Sequence, residues 1–398
     1  MTNHSFPRSH PTHLEGLMSR FSHPLALVFV FALTSTLGRA ATPQPAHVAG
    51  YTPAAIPAAI APALIAAQVE VVGQPRVSKG HPCTIWDEED LAHYKAMLKT
   101  SQELQAALAD VREASDKRLG EPLNIPEPRK GPDGKWLYPG EYFPPHPLYP
   151  GGDAGVRFRA RVSGDCDALV ALGAAYALTG QSKYGQFARK LLLAYANGFP
   201  HYGPPASYNL RYGQGILSQL LDEGLMLTKL SFAYDQIYNL LDWTPEERQQ
   251  IHDGLLGIVA YEILYPGAPD VSLNNSYGTQ ENNRGVLTLT GVLAAGYATD
   301  DEELVRAALY GIQSKFPQAI KQRYLTYPPL KDWIAGTAEQ PFGGLLATHI
   351  GKCIGADGMW IEGTPGYALY AGCGLVFSAE MMPTGSILLA IRRPPRRR

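Results

Sequence analysis

Apolar residues recur at helical spacing through most of the sequence from residue 80 onward. In "DEEDLAHYKAMLKTSQELQAALADVREASDKRL", Asp87 is placed as a helix N-cap with acidic residues in the first turn, and the apolar spacing continues to residue 118. No segment before residue 380 alternates apolar and polar residues as a half-buried strand does. We therefore predict an all-α fold.

Several of these helices come in pairs that are joined by short turns. In "DCDALVALGAAYALTGQSKYGQFARKLLLAYANGF", Gly180 is expected to end one helix and Ser182 to cap the next. The stretch "GVLTLTGVLAAGYATDDEELVRAALYGIQSKF" repeats this arrangement. Two more helices are predicted between the pairs, and the second begins at a capping box of Thr244 and Glu247.

Helical pairs with apolar faces become buried when they stack on each other, either in a solenoid or in an α/α toroid. A solenoid repeats at a fixed length, whereas the connections here vary, and several are long and aromatic, as in "GEYFPPHPLYPGGD". Long loops of this kind are often functional. We therefore predict an incomplete α/α toroid over residues 81–380, with loops at one end that build a cleft.

The beginning of the chain departs from the helical pattern. Residues 24–38, "PLALVFVFALTSTLG", are too short to span a bilayer comfortably and are followed by small residues. We expect a signal peptide in residues 1–40, with its true start at Met18, and an Ala/Pro-rich linker in residues 41–80. The protein is then expected to be secreted or periplasmic, with no membrane span after cleavage.

The end of the chain, residues 381–398, also departs from the pattern, and five of its last seven residues are arginine. A basic tail that binds nucleic acid is one interpretation. The interpretation that we prefer is an aberrant gene end that truncates the chain.

Composition narrows the function classes. An apolar share of 45% and a charged share of 18% predict a packed core, and a net charge of −2 gives no general attraction for nucleic acid. The 22 tyrosines suit a wet cleft that binds sugars, although ordinary core and surface use explains them as well. No metal or cofactor is predicted for this chain. The cysteines match no zinc spacing, and free thiols or one disulfide both stay open. They are Cys83, Cys166, Cys353 and Cys373.

An amide-rich stretch, "NNSYGTQENNRG", directly precedes the apolar run "VLTLTGVLAAGYA". Gln280, Asn282 and Asn283 offer hydrogen bonds without charge, and Arg284 can clamp a carboxylate. The start of a helix favours an anion at the same place. The stretch therefore indicates a site for an anionic group, and the alternative is a capped helix in an Asn-rich loop.

A second stretch, "DGMWIEGTPGYALYAG", contains Trp360 and then Tyr367 and Tyr370, three residues apart on one helix face. A tyrosine at the mouth of a cleft exchanges a proton when nearby groups stabilise its phenolate. Two aromatic residues that pack a helical hairpin are the alternative interpretation.

Together, the helical pairs, the amide–arginine stretch and "DGMWIEGTPGYALY" resemble the alginate lyase and heparinase II/III group of polysaccharide lyases over residues 80–380. "HPCTIWDEEDL" and "LDEGLMLTKLSFAYDQIY" are similar to segments of the same group. The resemblance implies an incomplete α/α toroid and β-elimination on a uronate glycan. It places Asn283 and Arg284, with Asn282 and Gln280, at the substrate carboxylate. Tyr367 would be the proton-transferring tyrosine, with Tyr370 and Trp360 on the substrate.

The sequence departs from the group at three points. Asn283 replaces the usual histidine, and Ala368 follows Tyr367 where a histidine is common. The segment between Asn283 and Tyr367 is also longer than usual, since residues 317–340 resemble an insertion. Tyr324 and Tyr327 in that insertion are rival catalytic tyrosines, and His349 is expected to be a packed or surface residue.

The sequence therefore predicts a polysaccharide lyase that cleaves an alginate-like or glucuronan-like chain by β-elimination. Two alternatives stay open. A toroidal glycoside hydrolase would pair Glu362 with Asp357 or Glu281 across the scissile bond. An inactive, truncated remnant would bind glycan without cleaving it.

Overall fold

A computed structural model describes residues 80–144, 154–203, 217, 220–264, 282–311, 343–350, 353–354, 360–362 and 365–382. Some of the predictions lie outside these residues. They concern the signal peptide, nearly all of the linker, the tail beyond Met382, and the side chains of Gln280, Glu281, Tyr324, Tyr327 and Asp357.

The described residues are mainly helical. The α-helices are α1 (Glu88–Met97), α2 (Gln102–Leu119), α3 (Pro139–Tyr142), α4 (Ala154–Thr179), α5 (Ser182–Gly198), α6 (Leu220–Gln236), α7 (Pro245–Ile251), α8 (Gly257–Leu264), α9 (Asn283–Ala298), α10 (Glu302–Tyr310) and α11 (Pro365–Met381). A π-helical segment, His252–Leu256, joins α7 to α8, and a second one spans Leu345–Ile350. No β-strand occurs within the described ranges, and the predicted all-α class is confirmed.

Local sequence signals set most of the helix ends. The predicted N-caps Asp87 and Thr244 each form a capping box, with Asp90 and Glu247 respectively. Gly180 ends α4 with a φ of 68°, a left-handed conformation that glycine adopts without strain. The prediction that Ser182 caps α5 was wrong by one residue, because Ser182 is already helical and Gln181 precedes it.

The helical spacing through residue 118 predicted one continuous helix, but the structure has two helices with a break between them. The chain forms α1 and α2 in succession, and the Ser101 side chain caps α2 by accepting a hydrogen bond from the Leu104 amide at 3.2 Å. The four cysteines are free thiols, which settles the question that their spacing left open.

The helices form two layers. In the first layer α4, α6, α9 and α11 pack side by side in that order. In the second layer α5, the α7–α8 helix and α10 pack back against them, while α2 covers α4. Each helical pair thus supplies one inner and one outer helix, which is the arrangement of an incomplete α/α toroid. The predicted fold is confirmed.

Contacts in the first layer show that α4 and α6 run parallel. Near their beginnings Arg159 pairs with Asp222 at 2.8 Å, and near their middles Lys229 pairs with Asp167 at 2.5 Å. Near their ends, a Cβ placed on Gly173 would lie 3.3 Å from the Ala233 Cα.

Small residues hold α6, α9 and α11 close together. A Cβ on Gly224 of α6 would lie 2.6 Å from the Thr288 Cα of α9, and a Cβ on Gly291 would overlap the Gly224 carbonyl oxygen. On the other side of α9, the Thr290 hydroxyl lies 3.1 Å from the Gly374 carbonyl oxygen and 3.0 Å from the Ser378 hydroxyl. Backbones therefore approach directly, with little side-chain volume between them.

In the described part of the chain, no helix combines the length and the apolar character that crossing a bilayer requires.

Candidate functional site

The beginnings of the four first-layer helices meet at one end of the arc. Glu362, three residues before α11, contacts the first residue of α9, so α9 and α11 also start side by side. We call this end the amino end of the arc. Its polar and aromatic residues are Arg159, Asp222, Asn282, Asn283, Arg284, Trp360, Glu362, Tyr367 and Tyr370.

Asn282 is the N-cap of α9. Its side-chain oxygen accepts hydrogen bonds from the backbone N–H groups of Arg284 at 2.9 Å and Gly285 at 3.3 Å. This is the ordinary work of an N-cap asparagine. The oxygen of Asn282 is thus used by its own helix, and a role for its amide group on substrate stays a prediction.

Glu362 accepts the remaining backbone N–H group at the start of α9, that of Asn283. Its Oε2 accepts from the Asn283 backbone N–H at 2.6 Å and from the Trp360 indole N–H at 2.8 Å. All three N–H groups from residues 283 to 285 therefore have partners within the protein. The sequence suggested that these groups await an external anion, and the structure corrects this, because the anion at the helix start is Glu362.

The same contacts weigh against Glu362 as a hydrolytic carboxylate. Its oxygen is tied to a backbone amide and an indole, both in nearly buried residues, since Asn283 is 5% exposed and Trp360 is 6% exposed. A general acid or a nucleophile has to face the scissile bond instead. Trp360 also packs here as a partner of Glu362, and its predicted contact with substrate stays a prediction.

Asn283 is the first residue of α9 and is 5% exposed. Within the described residues, the hydrogen bond recorded for Asn283 at the amino end uses its backbone N–H and not its side chain. Arg284 follows in the first turn and is partly exposed. An amide and a guanidinium next to each other can bind one carboxylate while adding only one charge.

Tyr367 lies at the same end of the first layer as Asn283. Thr290 of α9 touches Gly374 of α11, and Asn283 and Tyr367 each precede that contact by seven residues, which is two helical turns, or about 10 Å along either axis. Two turns also return a residue to the same face of its helix. These contacts therefore place both residues in the first turns of neighbouring helices.

Tyr370 lies one turn further along the same face, and burial raises its pKa, with smaller contributions from Cys373 and from the charge of Asp222. This phenol keeps its proton and is suited to donate hydrogen bonds. Asp222 belongs to α6, on the other side of α9, so Asp222 and Tyr370 approach each other across one face of the layer. Both residues therefore lie near the amino end of the arc.

The pair of Arg159 and Asp222 was missed in the sequence. Burial raises the pKa of Asp222, while the neighbouring Arg159 guanidinium opposes this shift. One signal was present, because Arg157, Arg159 and Arg161 crowd the first turns of α4, where the helix dipole disfavours cations.

His349 is fully buried, and its Nδ1 lies 3.2 Å from the Gly344 carbonyl oxygen. It is a packed residue, as expected. It belongs to the π-helical segment that packs on α9 and α10.

A buried cluster of His81, Cys83 and Asp235 at the other end of the arc has residue types that bind metals. However, His81 Nδ1 lies 2.6 Å from Asp235 Oδ1, whereas two ligands of one zinc ion stand about 3.3 Å apart at bond lengths of about 2.0 Å. Asp235 Oδ2 also accepts hydrogen bonds from the backbone amides of Cys83 and Thr84. The geometry is that of a hydrogen-bonded latch, which fastens the segment before α1 to the end of α6.

The charge of this latch is unusual. Burial alone would lower the pKa of His81, but hydrogen bonds to Asp235, Asp300 and Cys83 raise it to about 12. His81 therefore carries a positive charge between Asp235 and Asp300, with Tyr238 stacked on its ring at 3.5 Å between centroids.

Two curated alginate lyases are similar to this chain. An exo-oligoalginate lyase of Saccharophagus degradans is 25% identical over 324 residues, which are 81% of this chain and 36% of the relative. An alginate lyase of Stenotrophomonas maltophilia is 31% identical over 146 residues, which are 37% of this chain and 18% of the relative. The chain is similar to alginate lyases. It spans about a third of the length of the first alginate lyase, as its 36% share shows.

A solved alginate lyase from Bacteroides ovatus shares 16% identity, with a TM-score of 0.48 over 76% of each chain. No protein-family model matches the chain. The alginate-lyase-like character that "ENNRG" and "DGMWIEGTPGYALY" indicated is thus supported by the two curated alginate lyases.

Proposed function

We propose that this alginate-lyase-like chain is the helical catalytic part of a polysaccharide lyase that cleaves a uronate glycan, alginate or a similar polymer, by β-elimination. One observation carries the proposal. Asn283 and Tyr367 lie in the first turns of the adjacent helices α9 and α11, at the end of the arc where the first-layer helices begin.

β-Elimination needs donors to the substrate carboxylate and a residue that transfers the proton. The proton on C5 of a uronate is barely acidic while the neighbouring carboxylate is fully charged, so donors to the carboxylate stabilise the charge that develops on it. Asn283 and Arg284 supply these donors. Because Glu362 and Asn282 already use the backbone N–H groups, the carboxylate is bound by side chains and not by the helix start.

Tyr367 supplies the proton transfer. Its deprotonated oxygen takes the C5 proton, the electron pair of that C–H bond forms the C4=C5 double bond, and the C4–O bond to the leaving sugar breaks. The leaving oxygen then receives the proton from Tyr367. The electrons balance within the sugar, and the protein returns to its starting state.

A panel of uronic polysaccharides tests this function. The protein is incubated with alginate, glucuronan, and heparan-type and chondroitin-type chains, and the unsaturated uronate is read by its absorbance in the near ultraviolet. We expect absorbance to rise with alginate or glucuronan and to stay flat with a neutral glucan of matched viscosity.

The other outcomes point to the alternatives. New reducing ends without ultraviolet absorbance would replace the proposal with hydrolysis. Binding of a glycan without any cleavage would replace it with an inactive carbohydrate-binding role.

We also propose that the protein acts outside the cytoplasm, because residues 24–38 have the length and the flanking small residues of a signal peptide. Expression of the full chain in a bacterial host, followed by fractionation and N-terminal sequencing, tests this. We expect a shortened chain in the periplasm or medium, and an uncleaved chain in the cytoplasm would contradict it.

A further inference from the structure

The amino end of the arc contains a second cation, Arg159, whose setting differs from that of its neighbours. Arg157 donates to the Gly140 carbonyl at 3.2 Å, and Arg161 donates to the Asn124 carbonyl at 3.2 Å. Both bind backbone carbonyl groups of the segment that precedes α4. Arg159 instead turns to α6, where its Nη1 donates to Asp222 at 2.8 Å.

Most of the hydrogen-bonding capacity of Arg159 is unused. A guanidinium has five N–H donors, and within the described part of the chain Arg159 donates to Asp222 alone. Its side chain is 35% exposed, against 15% for Arg161. Asp222 therefore holds the guanidinium in place without covering it.

The position of Arg159 relates it to the proposed catalytic residues. Asp222 lies close enough to Tyr370 for its charge to act on the phenol, so Arg159, Asp222 and Tyr370 lie at the same end of the first layer as Tyr367. Because its guanidinium is bonded to a residue of α6, Arg159 lies about one helix spacing, or roughly 8–10 Å, from the axis of α9. One or two sugar rings span such a distance.

The chemistry of a polyuronate makes a second cation useful. Each uronate ring carries a carboxylate, so a chain bound with one carboxylate at Asn283 and Arg284 presents the next carboxylate on the adjoining ring. Leaving that second charge without a partner inside a cleft would cost binding energy.

We propose that Arg159 binds the carboxylate of the uronate next to the one that reacts, forming a neighbouring subsite that selects consecutive uronates. This subsite rests on the proposed lyase function. Asp222 serves it as a positioning residue, because it fixes the guanidinium of Arg159 at the amino end of the arc.

Two substitutions test the subsite by steady-state kinetics on the uronate polymer that the wild-type protein cleaves. We expect Arg159→Gln to raise KM about tenfold, as for the loss of one charge-assisted contact, with kcat changed less than about twofold. Arg159→Lys keeps the charge without the planar fork and should give an intermediate KM. The KM of Arg159→Gln should also depend less on salt than that of the wild type.

The matched control is Arg306→Gln. Arg306 is likewise a partly exposed arginine in an ion pair, with Glu302 at 2.7 Å, but it lies on α10 in the outer layer. Its KM should equal that of the wild type. An unchanged KM for Arg159→Gln, or a loss of kcat and thermal midpoint with KM intact, would overturn the subsite and leave Arg159 a structural residue.

A binding measurement separates this inference from the proposed function. In native gels that contain alginate, the wild-type protein should be retarded, and Arg159→Gln should be retarded less. If the wild type forms no unsaturated product on any uronate polymer, the lyase proposal fails, while the gel still decides on the subsite. Equal retardation of both proteins would overturn the subsite even in an active lyase.

Discussion

Glu362 joins the two stretches from which the site is built, so its removal gives a sharp test of the structure. Its Oε2 accepts the Asn283 amide at 2.6 Å and the Trp360 indole at 2.8 Å. Hydrogen bonds to a charged acceptor contribute about 1.5–3 kcal/mol each, and a negative charge at a helix start adds about 0.3–1 kcal/mol.

The substitution Glu362→Ala removes both bonds and leaves two nearly buried donors without an acceptor. We expect the free energy of unfolding to fall by about 3–5 kcal/mol, somewhat less than the plain sum because water replaces part of the loss. Glu362→Gln keeps an oxygen that can accept but loses the charge, so we expect a fall of about 1 kcal/mol.

Urea unfolding, followed by far-ultraviolet circular dichroism and tryptophan fluorescence, measures both variants. The native emission of Trp360 should also shift, because its indole N–H changes partner. The control is Glu302→Gln, an exposed glutamate in an i, i+4 pair with Arg306, which should cost about 0.5 kcal/mol or less. A Glu362→Ala variant as stable as the control would refute the anchoring of α9 by Glu362.

Three further predictions concern the proposed chemistry and the latch. Tyr367→Phe should lower kcat at least about 100-fold on a uronate polymer with an unchanged circular dichroism spectrum, and retained activity would exclude Tyr367 as the proton carrier. Asn283→Ala should lower kcat about 100- to 1,000-fold by removing one donor to the carboxylate, and a rate near that of the wild type would remove the amide from the mechanism. His81 has a folded-state pKa of about 12 against an ordinary 6.5, so its stabilising contribution is complete below pH 6.5 and is lost as the pH rises through 12. Urea midpoints measured from pH 7 to pH 10 should therefore fall more steeply for the wild type than for His81→Gln, and parallel curves would contradict the charge that we assign to the latch.

The fold was predictable because its signals are local. Helical spacing, the capping boxes at Asp87 and Thr244, and the glycine at residue 180 act within a few residues of each other, and the structure confirms them. The break at Ser101 escaped notice, because apolar residues keep helical spacing across it.

The site was predictable only in part. Asn283 and Tyr367 stand in recognisable stretches, at the starts of the neighbouring helices α9 and α11. The bond from Asn283 to Glu362 spans 79 residues of sequence, and the bond from Arg159 to Asp222 spans 63. Such pairs depend on how helices are aligned against each other, which the spacing within one helix does not determine.

The glycine contact between α6 and α9 has a consequence for engineering. Gly224 and Gly291 set the separation of these two helices, yet both lie further along their helices than the residues that we assign to the site. A single methyl group at Gly291 would force the backbones of α6 and α9 apart. This would change the spacing of the residues at the amino end of the arc, without altering any group that we assign to the sugar. Substrate preference in this scaffold can therefore be changed by substitutions between α6 and α9, away from the site itself.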